Sequence, residues 1–193
     1  MTRTQNARLA GITFLAYIAI GIAALLIGNA ATAGGGVAAK LASVARHAGE
    51  LRLVAVLSLA SCFAALILGV TLYAITRDED RDLAMLALVC RVIEGVPGVS
   101  GALGLVWLTT AADAKAFDPA MTQAFGAYLM RGEAGTGAIF FAVASTLFAG
   151  LMLRGRMVPA WLARLGLAAS AFLVVVLPLQ LGGVFVGGAL SWA

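Results

Sequence analysis

The apolar positions of this chain fall into long unbroken runs, not into alternating or one-faced patterns. A helix needs about 20 apolar residues to cross the hydrocarbon core of a bilayer, and five stretches reach that length. They are "LAGITFLAYIAIGIAALLIG" at 9–28, "LVAVLSLASCFAALILGVTLYAI" at 53–75, "LAMLALVCRVIEGVPGVSGALGLVWL" at 83–108, "GTGAIFFAVASTLFAGLML" at 135–153, and a run from Leu162 to about Leu190. The first is too long for a secretory signal and has no A-x-A cleavage site before a soluble region. The last contains Pro178, with Gly182, Gly183, Gly187 and Gly188 behind it. It reads as one kinked, tilted span, with two half-spans in a re-entrant hairpin as the alternative.

The connections differ in kind. "TRDEDRD" at 76–82 is a tight charged turn that makes the second and third spans antiparallel neighbours. "RGRMVPAWLAR" at 154–164 is short and basic, with Pro159 where a first-turn proline is tolerated and Trp161 placed for the aromatic belt. After the first span, "NAATAGGG" is a flexible break, and "VAAKLASVARHAGEL" reads as a helix running into the second span. In the 118–132 segment Met121, Phe125, Tyr128 and Leu129 recur at helical spacing, the pattern of a helix lying on the membrane surface. The expected fold is all-α: one polytopic membrane domain over residues 1–193, a bundle of five transmembrane helices plus a short interfacial helix. Six spans or the C-terminal hairpin are the alternatives.

Composition supports lipid as the main solvent. Charged residues make up 11% of the chain, where soluble domains carry about 25%. The net charge of +4 does not signal nucleic acid, because the basic residues stand at the ends of apolar runs. Seven of them (Arg3, Arg8, Arg77, Arg81, Arg154, Arg156, Arg164) fall on one side of the expected topology and five (Lys40, Arg46, Arg52, Lys115, Arg131) on the other. That bias predicts a cytoplasmic N-terminus and, with five spans, an external C-terminus. The wealth of Ala, Gly, Val and Arg is the residue usage of a GC-rich bacterium, so the expected location is a bacterial plasma membrane. Cys62 and Cys90 lie inside apolar runs outside any CxxC and read as small packing residues.

One stretch breaks the pattern. "ALVCRVIEGVPG" at 87–98 puts Arg91 and Glu94 inside the third span. At 1.5 Å per residue they lie about 12 and 17 Å in from Leu83, near the middle of a core about 30 Å thick. One charge there costs about 2.5–3.5 kcal/mol on insertion scales. Residues at i and i+3 share a helix face, so the two can neutralise each other, and that face should point into the bundle. Pro97 leaves the Ile93 carbonyl without its helical donor. Gly95 and Gly98 mark a helix kink where another backbone can approach, and with Gly101 and Gly104 they form a three-spaced series suited to close packing. Matched depth nominates Tyr17, Ser61, Ser145 and Thr146 as hydroxyl partners in a polar core with the pair.

Much catalytic machinery is missing. His47 is the only histidine and sits in a loop, which removes bis-histidine haem ligation, an HExxH zinc site and an intramembrane Ser-His protease. No P-loop or GxGxxG fingerprint is present, and every aspartate stands outside the spans. No metal, cofactor or catalytic residue is assigned, and an enzyme is disfavoured.

The chain resembles an uncharacterised bacterial multi-pass membrane family, domain of unknown function 4386. The likeness rests on "ARLAGITFLAYI", "LRLVAVLSLASCFAALILGVTLYAIT", "LALVCRVIEGV" and "FFAVASTLFAGLMLRGRMVPAWLARLGL", in that order between Ala7 and Leu167. The resemblance makes Arg91 and Glu94 the family's signature pair. It also implies six spans in many members, where this chain has the compressed end "LPLQLGGVFVGGALSWA". It implies no activity. Three readings stand side by side: a structural or accessory membrane protein with a packed polar core; a transporter of a small solute, ion or proton centred on Arg91–Glu94; and a membrane-embedded enzyme. The expected surroundings are the lipid bilayer and no nucleic acid, with a second copy or another membrane protein as open partners and no ligand identified.

Overall fold

A computed structural model describes residues 2–114, 124 and 136–182. Among these residues the protein is all-α, with α1 Arg3–Ala31, α2 Val37–Arg46, α3 Ala48–Thr76, α4 Arg81–Ala114, α5 Thr136–Arg154 and α6 Ala160–Leu181. All but α2 are long and apolar enough to cross a membrane. Between their ends, and apart from Arg91 and Glu94 on α4, they are apolar on every face, which is the mark of a membrane span or a deeply buried helix. Their surfaces decide between those two. Phe63, Trp107, Phe172 and Leu26 are among many large apolar side chains left exposed, whereas the buried set is rich in Ala, Ser and Thr. Soluble proteins rarely leave so much apolar surface uncovered, and small residues in helix seams are how membrane helices approach one another. This is a membrane protein.

The chain divides into two compact units. The first takes residues 1–13, 65–96 and 134–193, and the second takes 14–64 and 97–133. In the first unit α5 packs along α6. A Cβ on Gly150 would just touch Leu167, and one on Gly166 would just touch Ala149, so both glycines sit on the seam. Buried hydroxyls in this unit bond back into their own helices: Thr71 to the Ile67 carbonyl at 2.9 Å, Thr76 to Leu72 at 2.8 Å and Ser170 to Gly166 at 2.7 Å. That local bond is how a polar side chain satisfies itself without water.

The chain ends of the first unit gather its basic segments. Ala10 of α1 clusters with Leu68 and Ile75 of α3, and Met157 packs against the cluster. Arg154 reaches Asp80 at 3.7 Å, and Gly155 lies against the Glu79 carboxylate. The start of α1, the turn after α3 and the turn after α5 therefore share one end of this unit.

In the second unit α2 closes an apolar cluster. Val44 and Leu41 of α2 meet Ala31, Leu51 and Leu108. Gly36 enters α2 at φ 119° and ψ 166°, a backbone region open only to glycine. The expected helix over 37–51 does not run straight into the next span. It breaks at His47, which takes φ −111° and ψ 30°. The Ser43 carbonyl accepts the His47 amide at 3.0 Å and also lies 2.9 Å from His47 Nδ1. The imidazole and the backbone amide thus share one acceptor at the single residue between α2 and α3.

Further corrections concern helix ends and the proline sites. Pro159 is the residue before α6, not its first, because its ψ of 132° is extended. α6 runs unbroken through Pro178 to Leu181, so the proline is not the break that a re-entrant hairpin would need. α4 continues past Pro97 as one helix, which is compatible with the kink expected there. The surface helix expected over 118–132, with Met121, Phe125 and Leu129, lies outside the described residues apart from Ala124. So does the stretch from Gly183 to the end of the chain.

Candidate functional site

Arg91 and Glu94 lie one helical turn apart on α4, within the first unit. Arg91 Nη1 donates to Glu94 Oε2 at 2.9 Å, a short charge-assisted bond. The two side chains are only 4% and 9% exposed. The second guanidinium nitrogen, Nη2, donates to Ser145 Oγ at 3.2 Å on α5. The Phe141 ring lies one turn before Ser145 on the same face of α5, and the guanidinium carbon stands 4.6 Å from its centroid. A guanidinium over an aromatic face is attracted by the ring's quadrupole, more so when water is excluded.

The stem of Arg91 is seated from the other side by α3. A Cβ on Gly69 would fall 3.1 Å from Arg91 Cβ and 3.2 Å from Leu88 Cδ1. Glycine is what lets α4 come close enough there for the long side chain to lie flat between helices. Three elements therefore build the site: α4 supplies both charges, α5 supplies the hydroxyl and the ring, and α3 supplies the bare backbone.

Depth follows from α5 alone. Its 19 residues span about 28 Å at 1.5 Å per residue, close to one hydrocarbon thickness. Ser145 is its central residue, so the Arg91 head is held level with the middle of this apolar helix. One donor stays over: Arg91 Nε is buried and has no hydrogen-bond partner among the described residues. No group of three His, Cys, Asp or Glu that could hold a metal comes together among those residues.

A family model described as Domain of unknown function (DUF4386) matches residues 9–187. The chain belongs to that family. The DUF4386 match takes in α1 from Leu9 onward, the other four long apolar helices and the whole Arg91 site. No curated protein and no solved structure matches the chain.

Among the candidates read from this DUF4386 sequence, the structure brings Arg91, Glu94 and Ser145 together. Thr146 is next in sequence but turns its hydroxyl to the Ala142 carbonyl of its own helix at 2.8 Å. Tyr17 and Ser61 belong to the second unit. Gly98 also belongs there, and its neighbour is not a backbone but a side chain, Cys62 Sγ, 3.0 Å from where a Cβ would stand. At Gly101 a Cβ would meet nothing within 4 Å among the described residues. Sequence reasoning missed Phe141 and Gly69. Phe141 had a usable signal, since it stands at i−4 from Ser145 and so shares its face. Gly69, a lone glycine between large apolar residues in the second span, had only its smallness.

Proposed function

We propose that this DUF4386 protein is a structural or accessory component of a bacterial plasma membrane, and that Arg91, Glu94 and Ser145 act as a lock that fixes the registers of α3, α4 and α5. The observation that carries this reading is the burial of both charges, 4% and 9% exposed, while they are bonded to each other at 2.9 Å. A transport centre has to meet its cargo, and a guanidinium engaged by a carboxylate, a hydroxyl and a ring has little left to offer one. The N-terminus is proposed to be cytoplasmic. The start of α1 and the turns after α3 and α5 meet at one end of the first unit, and they carry Arg3, Arg8, Arg77, Arg81, Arg154 and Arg156. Positively charged ends favour the cytoplasmic side.

The second reading, a proton, ion or small-solute path, is favoured by one observation: the buried Arg91 Nε–H, which has no acceptor among the described residues. A buried donor normally has one, or a water. Flux measurements on the full chain in proteoliposomes separate the two. The lock reading expects vesicles with and without protein to leak protons, sodium and chloride alike. A protein-dependent flux that disappears in a folded Arg91→Leu, Glu94→Leu variant would replace it with the transport reading.

A further inference from the structure

At the end of the first unit where the basic segments meet, Tyr73, Arg77, Asp78 and Arg81 line a half-open cleft of about 300 Å³. It lies where α3 leaves its membrane-crossing stretch and α4 begins its own, which is headgroup level for both helices. The charge pattern of the turn is informative. Four acids and two arginines stand between Arg77 and Asp82, but two of the acids are turned away. Asp80 caps α4 by accepting the Leu83 amide at 3.0 Å and takes Arg154 at 3.7 Å. Glu79 is pressed against Gly155. Asp82, the fourth acid, is not among the lining residues, so the cleft itself has two guanidiniums, one phenol and one carboxylate. Arg77 and Asp78 are only loosely paired, at 3.9 Å and with both side chains well exposed.

Below the cleft the surface is apolar on both helices. Val70 and Ile67 of α3, and Met85 and Val89 of α4, follow at successive turns toward the membrane interior, all exposed. Two turns on each helix cover about 9–12 Å, enough to lie along the upper half of an acyl chain.

We propose that this cleft binds the headgroup of a zwitterionic phospholipid carrying a primary amine, with its phosphate on Arg77 and Arg81, its ammonium on Asp78, and its acyl chains along Val70, Ile67, Met85 and Val89. Guanidiniums suit phosphate because they offer paired donors. Tyr73 adds a hydroxyl at the level where amphipathic rings settle. The Asp78 carboxylate supplies the selectivity: it offers an ammonium three-donor group a partner, and it repels a second anionic group. An anionic glycerol headgroup would satisfy the arginines but offer the carboxylate only neutral hydroxyl donors and no positive charge. The inference is independent of the role given to Arg91.

The test uses the full chain in nanodiscs of equal parts phosphatidylethanolamine, phosphatidylglycerol and phosphatidylcholine, with retained lipid identified by native mass spectrometry. Phosphatidylethanolamine should be enriched over both others. Removing one arginine, by Arg77→Ala or Arg81→Ala, should lower its retention about fivefold, the effect of one basic side chain near a headgroup. Asp78→Asn should shift retention from phosphatidylethanolamine to phosphatidylglycerol. Arg156→Ala removes a charge from the same end but not from the cleft, and should change neither. Equal retention of the three lipids by the wild type would overturn the proposal, as would an Arg156→Ala loss as large as that of Arg81→Ala. Displacement by soluble glycerophosphoethanolamine at the same concentration as the lipid would overturn the lipid assignment, since the acyl groove would then contribute nothing.

Discussion

Two ion pairs in the first unit use the same chemistry in opposite solvents. At the centre of the span, Arg91 and Glu94 meet at 2.9 Å with side chains 4% and 9% exposed. At its end, Arg154 and Asp80 meet at 3.7 Å with side chains 62% and 34% exposed. The outer pair can be replaced by water, and exposed pairs are worth about 0–1 kcal/mol. The inner pair has no such fallback. Its value lies less in the attraction than in what either partner would suffer alone, because one buried charge without its mate is far costlier than the neutral pair. On the proposed reading the same contact is a removable detail at the exposed end of the helices and a structural requirement at their buried middle.

Removing partners from each pair tests that contrast. Glu94→Ala should be the most damaging single change, about 3–5 kcal/mol, because it strands a buried guanidinium. Equilibrium unfolding in lipid–detergent bicelles reads it. Ser145→Ala removes one acceptor from the same cation and should cost about 1.5–3 kcal/mol, the range for hydrogen bonds to charged groups. A smaller loss would mean that Nη2 finds another acceptor. Gly69→Val forces side-chain atoms into the space occupied by Arg91 Cβ and Cγ, and should cost about 1–3 kcal/mol through overpacking. Its readout is a loss of stability without change in the pair's charge. Arg154→Ala should cost less than about 1 kcal/mol, and the small effect should shrink further in high salt. A large effect there would erase the difference between the two regions.

Much of this organisation was legible in the sequence because the bilayer imposes a one-dimensional rule. Run length alone marks five spans, and the i, i+3 offset alone brings Arg91 to Glu94. Depth, counted by helical rise, picks out Ser145 and Thr146 equally. What separates them is rotation about α5: Ser145 shares a face with Phe141 and meets Arg91, while Thr146 stands about 100° around the helix and satisfies itself on Ala142. Rotation depends on which helix lies beside which, and hydropathy in a membrane span carries little of that information. Gly69 was illegible for the same reason, since its importance belongs to the Arg91 side chain across the seam. The break at His47 is of another kind. It falls at a residue whose imidazole and amide both sit on the Ser43 carbonyl, and no proline marks it.

The central claim is that Arg91 and Glu94 are stable only as a pair at mid-membrane. The measurement that bears on it most directly is the unfolding free energy, in bicelles, of Glu94→Ala against the double variant Arg91→Leu, Glu94→Leu. The account predicts that the double variant is the more stable of the two, since it leaves no buried charge behind. A double variant as unstable as the summed single changes would contradict it, and would mean that each side chain contributes by itself and not through the other.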